Sequence, residues 1–192
     1  MLGNMMQQQL LISSIIQQAA SLTPNVEIVS RRIEGDIHRY SYRDCYRRTA
    51  QLAHALHAFD VKPGDRVATL AWNGYRHLEL YYAVSGIGAV IHTVNPRLFA
   101  DQIQFIINDA ENKLLFVDLT FVPLLNDLAA HLPTIEKIVV LCDRAHAPTD
   151  TKFKFECYET LLENQRCEYD WPEFDENTAA GLCYTSGTTG NP

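Results

Sequence analysis

The chain reads as an α/β protein: a doubly wound, mostly parallel sheet lobe preceded by a helix, a hairpin and a second helix. Three observations predict this. From Arg66 onward, short Val/Ile/Leu-rich runs alternate with helical segments, the pattern of a parallel sheet covered on both faces. A strong turn signal, Lys62-Pro63-Gly64-Asp65, separates that rhythm from what precedes it and divides the chain into a segment 1–61 and a lobe 62–192. Near the end, a Thr/Ser/Gly-rich run directly follows an apolar one, and strand-end loops are where open α/β sheets place ligands.

Taken in order, Leu10, Leu11, Ile15 and Ala19 recur at helical spacing and predict an amphipathic helix docked on the fold. A helix lying on a membrane surface is the rival reading; the polar face lacks the Lys and Arg that such helices carry. Glu27 to Ser30 and Arg39 to Ser41 bracket a hairpin turning at Glu34-Gly35-Asp36, and Ser41-x-x-Asp44 predicts a capping box opening a helix that runs to about Phe59. The lobe then alternates: strand Arg66–Ala71, helix Tyr75–Ser85, strand Ala89–Thr93, helix Ala100–Asn108, strand Leu114–Asp118, helix Phe121–His131, strand Lys137–Cys142. A polar loop (143–150), a short helix (158–164) and an acidic irregular stretch lead to a last strand, Ala179–Tyr184.

Composition narrows the function classes. A chain of 192 residues with 47% hydrophobic and 20% charged content builds one domain with a sizeable core. The net charge of −7 argues against binding nucleic acid, and no run is apolar enough to predict a transmembrane segment. Five cysteines without a C-x-x-C pair suggest neither a disulfide framework nor a structural zinc site, and they read as reduced thiols. Cys183 is expected to be a buried small hydrophobe within the last strand. The start has no basic region and its apolar run is broken by Ser13 and Ser14, so a signal peptide is not expected; cytoplasmic residence follows, with a membrane-peripheral position as the variant.

The chemistry concentrates in Tyr184 to Pro192, YTSGTTGNP. Glycines let the backbone approach a bulky anion and turn its N–H groups inward, while Ser and Thr hydroxyls donate further hydrogen bonds. Gly187 and Gly190 are separated by two residues, which excludes a Walker A loop. This run resembles the phosphate-loop signature of the AMP-forming acyl-CoA synthetases, members of the adenylate-forming superfamily. A second stretch, Gly86-Ile87-Gly88-Ala89-Val90-Ile91 followed by His92-Thr93-Val94-Asn95-Pro96-Arg97-Leu98, resembles that family's glycine-alanine strand and asparagine-proline turn, closest to bacterial medium- and long-chain fatty-acid members.

The resemblance implies that Thr185, Ser186, Gly187, Thr188, Thr189 and Gly190 hold the β- and γ-phosphates of ATP, with Thr185 near Mg2+, and that a fatty acid and CoA are the other substrates. It also implies that the segment 1–61 contributes to a neighbouring sheet. The family's loop continues with Pro-Lys-Gly whereas this sequence stops at Pro192, so the expectation is an amino-terminal piece of an incomplete large domain, inactive alone, with an exposed apolar face that favours self-association, a homo-oligomer included. No catalytic residue is assigned within it. Two alternatives stay open: an adenylation domain of peptide-synthetase or aryl-acid type, and a non-catalytic nucleotide-binding or interaction module.

Other residues read as structural. Gly86 and Gly88 let a helix end close to the start of a strand, Arg97 ties down its loop, and His92 is a packed strand residue. His54 and His57, three apart on a helix, read as a solvated surface because no further ligand stands on that face. Tyr81, Tyr82, Trp72, Trp171 and Phe174 read as packing.

Overall fold

The structure, a computed structural model, describes residues 3–5 and 7–185. Its elements are α1 (Ile12–Leu22), β1 (Glu27–Arg31), β2 (Ile37–Ser41), α2 (Tyr42–Ala58), β3 (Arg66–Leu70), α3 (Tyr75–Gly86), β4 (Val90–Thr93), α4 (Ala100–Asp109), β5 (Leu114–Val117), α5 (Val122–Leu128), β6 (Lys137–Val140), β7 (Glu156–Cys157), α6 (Tyr158–Leu162) and β8 (Gly181–Leu182). β1 and β2 form a separate antiparallel pair. The other six strands form one parallel sheet in the order β7-β6-β5-β3-β4-β8.

Successive side chains of a strand face opposite sides, and the central strands are apolar on both. Val67, Leu114, Phe116 and Val139 pack with Leu52 and Leu56 of α2, Leu80 and Val84 of α3 and Leu162 of α6. Their neighbours Ala68, Leu115, Val117 and Val140 pack on the other face with Ile103 and Ile107 of α4 and Leu125 of α5. The chain passes from β3 to β4 through α3 on one face, then from β4 to β5 and β5 to β6 through α4 and α5 on the other. That reversal makes the sheet doubly wound.

Local chemistry sets the boundaries. The hairpin turns at Gly35, whose φ of 107° suits a residue without Cβ. Ser41 caps α2: its Oγ accepts from Asp44 N at 3.3 Å while an Asp44 carboxylate oxygen accepts from Ser41 N at 3.0 Å. Gly86 lets α3 dock on Trp171, since a Cβ there would come within 2.6 Å of the indole ring, and Gly88 opens the way into β4 with φ 82°.

Several expectations are corrected. Leu11 is buried, but the helix starts after Leu10, and Leu10 and Ile15 are exposed; Ser13 and Ile16 are the buried residues, because the small Ser13 lets α1 sit close to Gly86. The helix expected over Phe121–His131 is α-helical only over Val122–Leu128, with Pro123 in its first turn and tight 3-10 turns on either side. β7 was not anticipated, and β8 is paired over only Gly181–Leu182. Cys183 lies past that paired segment and is exposed, not a buried strand residue.

Candidate functional site

β8 runs parallel to β4, with Ile91 opposite Gly181 and His92 opposite Leu182, so the chain leaves the sheet at the carboxyl ends of its strands. Thr185 is exposed there. Ser186, Gly187, Thr188, Thr189 and Gly190 lie outside the described residues. The approach to the loop is anchored: the Tyr184 hydroxyl donates to Asp109 Oδ2 at the end of α4 at 2.5 Å, and desolvation with this hydrogen bond pushes the phenol up to about 12. The Tyr184 ring lies 5.2 Å from the ring of His92. His92 is fully buried, its Nδ1 lying 3.0 Å from Asn112 Nδ2, and burial lowers its pKa, so it is a packing residue as the sequence suggests.

The connections after β3 and after β4 leave toward opposite faces, and such a reversal opens a crevice at the strand ends. Asp118, just past β5, lines it. Asp118 Oδ2 accepts from Trp72 N at 2.6 Å, and desolvation pushes the carboxyl up to about 6. His77 is held between Thr69 Oγ1 (3.0 Å) and the Trp72 carbonyl (3.2 Å), and burial lowers its pKa. Asn95 shapes the neighbouring turn, its side-chain oxygen accepting from Arg97 N at 3.0 Å. The arginine side chain is exposed and makes no ion pair among the described residues, so the loop is tied by Asn95, not by Arg97.

Cation-binding potential is limited. Thr185 offers one hydroxyl oxygen where Mg2+ takes six ligands, so most of the shell would come from phosphate oxygens and water. Among the described residues, Glu34, Asp143 and His146 bring one donor atom each within 4.8 Å of one another. The Arg32 guanidinium stands 3.1 Å from Asp143 and 3.8 Å from Glu34, which makes this cluster an ion-pair network.

The profile of the family described as AMP-binding enzyme matches residues 16–192. The chain belongs to that family. It is 45% identical over 192 residues to the 3-methylmercaptopropionyl-CoA ligase of Ruegeria pomeroyi, covering 100% of this chain and 36% of that protein. It is 43% identical over 192 residues to the medium-chain-fatty-acid–CoA ligase of Ectopseudomonas oleovorans, covering 100% of this chain and 35% of that protein. The chain therefore spans about a third of the length of these relatives. Among solved structures, acetoacetyl-CoA synthetase from Streptomyces lividans shares the fold, with a TM-score of 0.82 at 22% identity over 96% of this chain and 29% of that one.

One feature of the chain gave no signal in the sequence. Glu79 of α3, fully buried, receives Arg48 at 2.8 and 3.2 Å and the Tyr158 hydroxyl at 2.6 Å. Arg48 also pairs with Glu159 at 2.9 and 3.2 Å, and Glu159 accepts from Arg76 at 2.8 Å and from the Tyr75 hydroxyl at 2.7 Å. Burial raises the pKa of Glu79 against the pull of Arg48, whereas the same arginine and two further donors hold Glu159 below the usual carboxylate range against desolvation. The hub joins α2, α3 and α6, and Arg76 extends it to Glu34 of the hairpin turn at 2.8 Å. His54, expected in solvent, accepts a smaller structural part: its Nε2 lies 2.8 Å from the Glu168 carbonyl and its ring meets Tyr169.

Proposed function

We propose that this chain is the amino-terminal part of an AMP-forming acyl-CoA ligase acting on a medium- or long-chain fatty acid. The reading is supported by the residue types of the run Thr185–Gly190, which follows β8 in the sequence, in a chain whose relatives at 43–45% identity are named CoA ligases. In the first step the fatty carboxylate oxygen attacks the α-phosphorus of ATP, the bond to the bridging oxygen breaks, and pyrophosphate leaves. In the second, the CoA thiol attacks the acyl carbon of the acyl-adenylate, AMP leaves and the thiol proton passes to solvent.

This chain's part is positioning and charge neutralisation. The hydroxyls and backbone N–H groups of Thr185, Ser186, Gly187, Thr188, Thr189 and Gly190 would orient the β- and γ-phosphates, and the Tyr184–Asp109 anchor fixes where that loop begins. Mg2+ would neutralise phosphate charge, with Thr185 as its protein-side hydroxyl. Residues 1–61 would complete a neighbouring sheet, and the exposed apolar residues of the hairpin support that reading. Among the described residues, no helix is long and apolar enough to cross a membrane.

The test is ATP- and CoA-dependent AMP release over a series of carboxylic acids, 3-methylmercaptopropionate included, on this chain and on the protein extended to the length of its relatives. Release by the extended protein alone, greatest with a medium or long acid, is expected. No release with any acid would overturn the thioester-forming assignment.

A further inference from the structure

At the sheet edge opposite β8, two thiols stand in contact. The register of β6 with β7 pairs Val140 with Cys157, and Cys142, two residues beyond Val140, falls on the same face of the sheet as both. The chain turns there, with Cys142 N donating to Val140 O at 2.9 Å and Glu159 N to Cys142 O at 3.3 Å. The turn brings the Cys142 and Cys157 sulfurs to 3.7 Å, and the Cys157 thiol points at the Cys142 carbonyl oxygen, 3.0 Å away. A disulfide bond is about 2.05 Å long, so the sulfurs need to approach by about 1.7 Å. β7 is a two-residue edge strand with one neighbour, the place in the sheet where such a shift meets least resistance.

We propose that Cys142 and Cys157 are a modification site, an oxidisable dithiol that closes into an intramolecular disulfide under a hydroperoxide. Their environments divide the labour. Cys157 is half-buried and reachable, whereas Cys142 is buried and its thiol is pushed up to about 12, by desolvation first and by the neighbouring Cys157 second. The Cys157 thiolate attacks one peroxide oxygen; the O–O bond breaks, hydroxide leaves and is protonated to water, and Cys157 becomes a sulfenic acid. The Cys142 sulfur then attacks the Cys157 sulfur. The S–O bond breaks, a second water leaves carrying the Cys142 proton, and two electrons have passed from the two thiols to the peroxide.

The site touches the frame of the fold at both ends. Cys157 immediately precedes Tyr158 and Glu159, which hold Glu79, Arg48 and Arg76, and Cys142 precedes Asp143, which pairs with Arg32 of the hairpin at 3.1 Å. Closing the disulfide fastens this edge of the sheet to that hub, at the opposite edge from β8.

The test treats the reduced chain with hydrogen peroxide, using Cys167→Ser/Cys183→Ser so that the two other accessible cysteines do not interfere. Free thiols and mass are followed, and the cross-linked peptides are mapped. The expected result is loss of two thiols and of two hydrogen masses, one cross-link joining residues 142 and 157, and full recovery with dithiothreitol. In a further Cys142→Ser variant, the Cys157 sulfenic acid persists and is trapped by dimedone, which does not label the unmutated pair. Thiol loss without that cross-link, or no thiol loss at peroxide levels that oxidise Cys183 in the unmodified chain, overturns the proposal. The peptide mapping decides the matter even if Cys142→Ser fails to fold.

Discussion

The six-stranded sheet and the two-stranded hairpin answer the same problem, covering an apolar face, with opposite success. Every residue of β5 is buried, because α2, α3 and α6 cover one side of it and α4 and α5 the other. β1 alternates between exposed and half-buried residues; its inner side meets Tyr40, Ile16 and Tyr75, while Val29 and Ile37 remain 51% and 52% exposed. Beside them a groove of about 420 Å³ opens between β1 and α3, lined by Ile28, Leu78 and Tyr81. The contrast teaches that burial within this chain is enough for the lobe and insufficient for the hairpin. Besides the contact of His38 and Tyr40 with Tyr75, charge ties the two together, through Arg32 with Asp143 and Arg76 with Glu34.

The largest effect is expected at the hub. Arg48→Met leaves Glu79 buried without its cation and should cost about 3–5 kcal/mol in urea unfolding. Adding Glu79→Leu should recover part of that loss, since a buried charge without a partner costs more than the absent pair. A single variant that unfolds like the wild type would show that the lobe does not depend on the hub.

Within the lobe, Asp118 gives stability a pH dependence. Its folded pKa of about 6 lies above the ordinary 3.8, so the folded state binds this proton more tightly. The resulting stability is fully present below about pH 4 and is lost as pH rises through about 6. Asp118→Asn should abolish that decline and stabilise the protein at pH 7 by about 1–3 kcal/mol, because the amide oxygen still accepts from Trp72 N. Unfolding curves from pH 4 to 7 that fall equally in both proteins would contradict this.

The smallest stability effect belongs to the hairpin. Val29→Lys with Ile37→Lys should change stability by no more than about 0.5 kcal/mol per site, while reducing concentration-dependent association measured by light scattering. A large loss of stability would mean that this face is already covered.

Much of the fold was legible because local rules and packing agreed. The capping box at Ser41 and Asp44, the turn at Gly64 and the alternation of buried runs with helices each specify a local state that the tertiary structure keeps. The face of α1 was misread because spacing alone cannot say where a helix starts: Leu10 fits the period yet precedes it. β7 escaped because two residues carry no period. The hub was invisible since Arg48, Glu79 and Glu159 are far apart in sequence and each looks like an ordinary surface charge. Asp118 was legible only as the end of a strand; its raised pKa arises from burial that the reversal of connections creates. Of the run proposed to hold phosphate, the residue types are legible in the sequence, and the structure adds the anchor of the preceding Tyr184 on Asp109.

The proposed function has Thr185–Gly190 hold ATP phosphates for attack by a carboxylate. The most direct test is fatty-acid-dependent exchange of labelled pyrophosphate into ATP without CoA, on the protein extended to the length of its relatives. Exchange should require the acid and fall about a hundredfold in Thr188→Val, which removes one hydroxyl donor. Exchange that is absent with every acid, or that Thr188→Val leaves unchanged, would contradict it.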